Sequence, residues 1–183
     1  MERNIELLRM LWAGGPVSAK IDEFKLRDAV QLPLPKQRPH PPILIGGYAD
    51  AVLKRAARVG DGWLTYFYTP DSFRRSWQTV LRYAEESGRD LSQFTATNEL
   101  AISIGKSRRE VEAPMREWLS TEWDTAGWSE STIEHAICGS AADCVEQLQA
   151  HVEAGVNRLV LIPYRYQSEQ VEAIASEILP HLS

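Results

Sequence analysis

Ile45-Gly46-Gly47-Tyr48-Ala49-Asp50 sets two glycines between a short β-branched run and an apolar-striped segment of helical spacing. A helix that begins directly after a strand points unbonded N–H groups at the connecting loop, and its dipole adds partial positive charge there. Glycine lets a ligand approach that backbone with no Cβ in the way. This arrangement receives a phosphate, and a tight strand-to-helix turn with nothing bound has the same sequence. Neither the GxGxxG dinucleotide pattern nor a Walker loop with its Lys-Ser/Thr is present. Asp50 opposes an anion at this point, or caps the helix itself.

The other residues able to do chemistry are sparser. Gly60-Asp61-Gly62 permits a tight turn from helix to strand, and its plain reading is a cap followed by a turn. In the run Trp63 to Phe67, Trp63 and Tyr66 are interleaved with Leu64 and Phe67, and one set lines a pocket for a flat ring or both belong to a core. His40 falls in a Pro-rich loop, His151 and His181 on helices, and His135 in a segment of uncertain structure. None has a Cys or carboxylate at metal spacing, so no metal site is expected and the four are read as solvated or capping. Cys138 and Cys144 have no basic neighbour to lower a thiol pKa and are expected to pack. Asn98-Glu99 is out of place in a buried strand; it marks a strand end facing a cavity, or a solvent-exposed stretch. "STEWDTAGW" brings two Trp near Asp124 as an interface, a lid or core.

The elements that must position these residues read as follows. Ile5, Leu8, Leu11 and Trp12 have helical spacing, ended by Gly14-Gly15-Pro16. Val17 to Pro42 reads as loop, with Pro at 33, 35, 39, 41 and 42. Ile43 to Ile45 is a strand without alternation, as in parallel sheets buried on both faces. Ala49 to Val59 is helical through Val52, Leu53, Ala56 and Ala57. Trp63 to Phe67 is a second strand. Thr69 caps a helix with Pro70 at its first position, running to about Glu86. Phe94 to Ile104 is a third strand, and Ser107 opens a helix to about Thr121. Ser140 opens a helix through Ala154, Arg158 to Ile162 is a fourth strand, and Ser168 to Leu182 is a final helix. Alternation of this kind predicts a parallel sheet in a barrel or a doubly wound fold.

Totals bound the answer. At 183 residues, one domain over 1–183 is expected. A net charge of −5 argues against a nucleic-acid partner. No apolar run reaches a membrane span, and the N-terminus has no signal-peptide layout. Two Cys form no disulfide framework, so a cytoplasmic setting is expected.

"PPILIGG", then "ADAVLKRAARVGDGWLTY", then "GSAADCVEQLQAHVEAGVNRLVLIP" together resemble the bacterial luciferase-like monooxygenases, and "ERNIELLRMLWAGGPVS" resembles that family's mid-chain helix and following loop. Four spaced motifs stand in the family's order from residue 2 to residue 163. The resemblance implies the C-terminal half of a (β/α)8 TIM barrel, about four parallel strands alternating with helices, and a flavin- or deazaflavin-dependent oxidoreductase acting on a small molecule with FMN or a deazaflavin coenzyme. By the same resemblance Gly46, Gly47, Tyr48, Ala49 and Asp50 are phosphate-side residues, and Trp63 and Thr65 are pocket-wall candidates. Relatives often carry Ser or Thr just past the glycines; with Tyr-Ala-Asp, binding leans on backbone N–H groups. Catalytic side chains are expected mainly in the absent first half. Four strands leave two open edges and an uncovered face, so a homodimer or a separate N-terminal half-barrel is the expected partner. Met1 standing just before a mid-chain family helix points to a split gene or a truncation.

Overall fold

A computed structural model describes residues 1–21, 24–122 and 135–182. The chain opens with α1 (Glu2–Ala13) and a hairpin of β1 (Val17–Ile21) and β2 (Phe24–Ala29). Then follow β3 (Leu44–Gly46), α2 (Asp50–Val59), β4 (Gly62–Tyr66), α3 (Pro70–Glu86), β5 (Thr95–Ile104) and α4 (Arg108–Glu122). The short β6 (Ile137–Gly139), α5 (Ala141–Glu153) and β7 (Arg158–Pro163) come next. A helical segment closes the chain: α6 (Ser168–Ala173), the wider turn Ile174–Ile178 and a final turn Leu179–His181.

The four expected strands, β3, β4, β5 and β7, lie side by side and all run parallel. The three-residue β6 adds to them, pairing Ile102 to Ile104 with Ile137 to Gly139. β4 and β7 flank opposite edges of β5, since both pair with Thr97 to Glu99. Ile102 is shared by β6 and β7, so β6 continues the edge that β4 leaves. Among the described residues, β3 pairs only with β4 and β7 only with β5.

The loop expected over 17–42 is partly an antiparallel hairpin. Ser18 Oγ accepts from the Asp28 N–H at 2.9 Å and donates to its carboxylate at 3.1 Å. The prolines begin only at Pro33, and the short polar strands before them lack a hydrophobic run to announce them. "STEWDTAGW" lies from Trp123 onward outside the described residues.

Local sequence fixes the element ends. Thr69 Oγ1 accepts from Ser72 N–H at 3.1 Å, with Pro70 opening α3. Ser140 and Asp143 form a reciprocal capping box on α5, and the chain leaves that helix through Gly155 at φ +108°. Gly60-Asp61-Gly62 is the turn its composition predicts, and its glycines are demanded by close approach: a Cβ would stand 2.8 Å from Ile45 at Gly60 and 2.7 Å from Thr95 O at Gly62. Asp61 ties three strand starts together. Its carboxylate accepts from Ile43 N–H at 2.9 Å, its N–H donates to Ile43 O, and its carbonyl accepts from Thr95 N–H.

One face of the sheet is closed by helices. Ile45, Trp63 and Ala96 pack with Leu53, Ala56 and Ala57 of α2, Phe73 and Val80 of α3, and Ile5 of α1. Leu100 and Ile102 pack with Cys144 and Leu148 of α5 and with Ile174 and Ile178.

Candidate functional site

β3 delivers the chain into the glycine pair, and the two glycines have different reasons to be there. Gly47 sits at φ +124°, a backbone that L side chains rarely adopt, and donates its N–H to Leu64 O at 3.2 Å. Gly46 has no such constraint. A Cβ there would meet nothing nearer than Leu64 O at 3.9 Å, and the residue is exposed. The fold leaves open space at Gly46, four residues before the start of α2.

That helix start carries no side-chain cap. Ala49 is the N-cap residue, and the first backbone bonds of α2 run from Val52 and Leu53 N–H to Ala49 O. By helix geometry, the Asp50 and Ala51 amides ahead of them have no intrahelical acceptor. Asp50 does not cap. Both of its carboxylate oxygens accept from Tyr83 Oη of α3, at 2.7 and 2.8 Å. Arg82 and Lys54 stand over the Tyr83 ring at 4.2 and 5.4 Å and offset the negative charge. Tyr48 is two-thirds exposed at the loop.

Trp63 and Thr65 turn toward the helices. Trp63 is fully buried against Phe73 and Tyr68, and its indole N–H donates to Gly47 O at 2.7 Å. It therefore braces the glycine loop from behind. Thr65 is buried next to Tyr68, whose hydroxyl it hydrogen-bonds together with Ser76; burial raises the Tyr68 pKa despite these bonds. Alternation along β4 then sends Leu64 and Tyr66 to the opposite face. Register places Gly46, Leu64, Thr97 and Arg158 in one row of that face, and Tyr66, Glu99 and Val160 in the next. Leu64 and Glu99 are half-buried, while Tyr66 and Val160 are 44% and 37% exposed. Toward the strand C-termini the same face is covered by α4, through Val111, Met115, Trp118 and Leu119 packed with Ala101, Ile162 and Phe67. Phe67 follows β4 at φ +51°, held by its N–H on Glu99 O and by His135 Nδ1 on its carbonyl, both at 2.8 Å.

Asn98 points the other way and is fully buried. Its Oδ1 accepts from Tyr68 N–H at 3.4 Å, and its Nδ2 donates to Tyr68 O at 3.1 Å and to His151 Nδ1 at 3.3 Å. This hub fixes the chain just past β4. His151, read from sequence as solvated or capping, is instead 3% exposed; burial, with His135 nearby, depresses its pKa to about 4. The spacing Cys144, Leu148, His151 is itself a buried helical stripe and carried the missing signal. Cys138 and Cys144 are buried as expected, and desolvation pushes their thiols up to about 11 and about 12. His40 Nδ1 bonds Pro41 O at 2.9 Å and stands 3.8 Å from Asp61. Among the described residues no three His, Cys, Asp or Glu side chains gather as a metal site, and no helix is long and apolar enough to cross a membrane.

Comparison with known proteins gives this geometry a context. A family model described as luciferase-like monooxygenase matches residues 1–158. An uncharacterised protein of Mycobacterium tuberculosis is 39% identical over 94 residues, which are 49% of this chain and 30% of that protein. The FMNH2-dependent dimethylsulfone monooxygenase of Pseudomonas putida is 23% identical, covering 98% of this chain and 56% of its own. An F420-dependent secondary alcohol dehydrogenase, solved with an F420–acetone adduct, superposes with a TM-score of 0.83 at 20% identity, over 99% of this chain and 60% of that one. The chain thus spans between 30% and 60% of the length of these relatives, and its sheet is part of a (β/α)8 barrel. With motif order, fold and family model in agreement over most of its length, the chain belongs to the luciferase-like monooxygenase family.

Proposed function

We propose that this chain is the phosphate-holding portion of a flavin- or F420-dependent oxidoreductase of the monooxygenase type, a single partial-barrel domain over 1–183 that acts on a small molecule once its barrel is completed. The observation that carries the reading is Gly46: a glycine that neither backbone angle nor packing explains, beside an uncapped helix start. Gly46, Gly47, Tyr48, Ala49 and Asp50 form the cradle. The Asp50 and Ala51 amides and the α2 dipole face the dianion, and the Asp50 carboxylate is drawn away to Tyr83. Trp63 holds the loop rigid through Gly47 O, and Thr65 fixes Tyr68 behind it. Leu64 and Tyr66 supply the surface beside the cradle on the open side of the sheet.

When bound, the cofactor supplies the redox chemistry, transferring a hydride or activating oxygen, while the protein orients it. The α4 cluster excludes water from the C-terminal end of the sheet. A second reading, a non-catalytic assembly or cofactor-binding subunit, is favoured by the open sheet edges, because such a chain need hold only part of a site.

The test is a fluorescence titration of FMN and of F420 with the chain, with inorganic phosphate as competitor. Saturable binding displaced by phosphate is the expected result. Binding of neither cofactor removes the cofactor-holding role and leaves the assembly reading.

A further inference from the structure

We infer that the groove between α5 and the closing segment is a docking site for a basic amphipathic helix of a partner protein. The groove lies on the helix side of the sheet and shares no residue with the Gly46 loop, so the inference is independent of the cofactor.

Charge is divided along the sequence. Residues 1–116 hold eighteen Lys and Arg against fourteen Asp and Glu, a net of +4, while residues 117–183 hold two against eleven, a net of −9. The two bases of the second part, Arg158 and Arg165, lie in β7 and just past it, so α5 and the segment from Ser168 contain neither Lys nor Arg. Elsewhere exposed carboxylates pair within their own helix: Asp71 with Arg74, Glu86 with Arg82, and Glu112 with Arg108 and Arg116. Glu146, Glu153 and Glu177 are exposed and, among the described residues, stand in no ion pair. An acidic surface of this kind attracts a partner of the opposite sign.

Shape narrows the occupant to a helix. The three carboxylates line a groove of about 880 Å³. Ala141 and Val145 of α5, packed on the core of Leu148, Ile174 and Ile178, line it together with Ala150. Ser176 and Glu177 come from the opposite side, on the wider turn Ile174–Ile178, a rare helical form that recurs at functional positions. Along α5 the lining runs from Ala141 to Glu153, about 18 Å or three turns. Glu146 and Glu153 stand two turns apart on one side of α5, about 10 Å from each other. A groove with small apolar side chains and acidic walls fits one helix with Lys or Arg seven positions apart beside an apolar face. The long stems of those residues cover the walls while their charges meet the carboxylates. The same negative charge repels nucleic acid and anionic lipid. Among the described helices of this chain α2 is the most basic, and its Leu53, Ala56 and Ala57 are already buried in the core, so a second copy offers no such helix.

The test titrates the full chain with a labelled helical peptide of about four turns, carrying Lys seven positions apart beside a Leu and Ala face. Its scrambled form and a form with Glu in place of Lys serve as comparators, followed by fluorescence anisotropy and backbone amide shifts. Expected are saturable binding of the basic helix that weakens as salt rises, binding of the scrambled form about tenfold weaker, none of the Glu form, and shifts centred on α5 and on Ser176 to His181. The double variant Glu146→Gln, Glu153→Gln should weaken binding about tenfold at an unchanged melting temperature. Ser176→Trp fills the groove without altering its charge and should weaken binding as much. A scrambled peptide that binds equally, or a Ser176→Trp chain that binds as well as the original, shows diffuse charge attraction and overturns the inference. Self-association of the chain in sedimentation velocity that the double variant abolishes overturns it in favour of a second copy. Absence of binding by the basic helix overturns it outright.

Discussion

Two adjacent glycines can be present for unrelated reasons, and residues 46 and 47 separate them. Gly47 is required by its backbone angle, whereas no contact among the described residues requires Gly46, and the proposed phosphate supplies a reason for it. The same logic applies to His151. Its imidazole is buried and held neutral, with a pKa near 4 against 6.5 in the unfolded chain. As pH falls below 6.5 the unfolded chain takes up the proton first. Stability is therefore full above the unfolded pKa and declines from pH 6.5 to pH 4, by at most about 3 kcal/mol. Urea unfolding at pH 7 and pH 4.5 should show this decline, and His151→Gln should flatten it while lowering stability at pH 7. An unchanged slope in the variant places the pH dependence elsewhere. Sequence showed the glycine pair because loop composition is local. It did not show whether Gly46 is open, since that depends on the Leu64 backbone eighteen residues on, nor that His151 is buried, since Val145, Leu148 and Val152 offered a competing stripe.

At the scale of elements, the positions of α2 and β4 rest on a side chain that the motifs did not single out. Arg89, just past α3, donates to Ala56 O at 3.3 Å, to Ala57 O at 2.8 Å and to Gly60 O. These are carbonyls at the C-terminal end of α2 and in its exit turn, and Ala56 O also accepts from the Gly60 N–H at 3.1 Å. Burial lowers the Arg89 pKa, and Asp61 opposes that shift. Arg89→Met keeps much of the stem packing and removes the charged donors, so it should cost about 2 kcal/mol of stability, read from the denaturant midpoint at unchanged m-value. A loss below a few tenths would mean that water satisfies these carbonyls equally well. Most elements were legible beforehand because β-branched runs, caps and prolines mark them: β3 after Pro41-Pro42, α3 after Thr69-Pro70, α5 after Ser140. The β1–β2 hairpin was not, since its strands are short and polar. β6 was not either, since three residues carry no period. The face assignment of Trp63 and Thr65 needed the register of β4 on β3 and β5, which no single strand reveals.

For the whole molecule, the open sheet edges, the unhindered Gly46 and the uncapped start of α2 support the proposed reading of a barrel portion that holds one end of a cofactor. That a barrel was involved was readable from four motifs in order; the sequence did not reveal what pairs with the free edges of β3 and β7, because pairing between strands is not a local property. The function proposed for this chain turns on the Gly46 loop receiving a phosphate. The most direct measurement compares FMN with riboflavin, identical except for the phosphate, by following backbone amide chemical shifts of the labelled chain during titration. Expected are shifts centred on Gly46 to Ala51, affinity for FMN about tenfold or more above that for riboflavin, and loss of that preference in Gly46→Ala with the melting temperature unchanged. Equal affinity for the two, or shifts centred away from this loop, would contradict it.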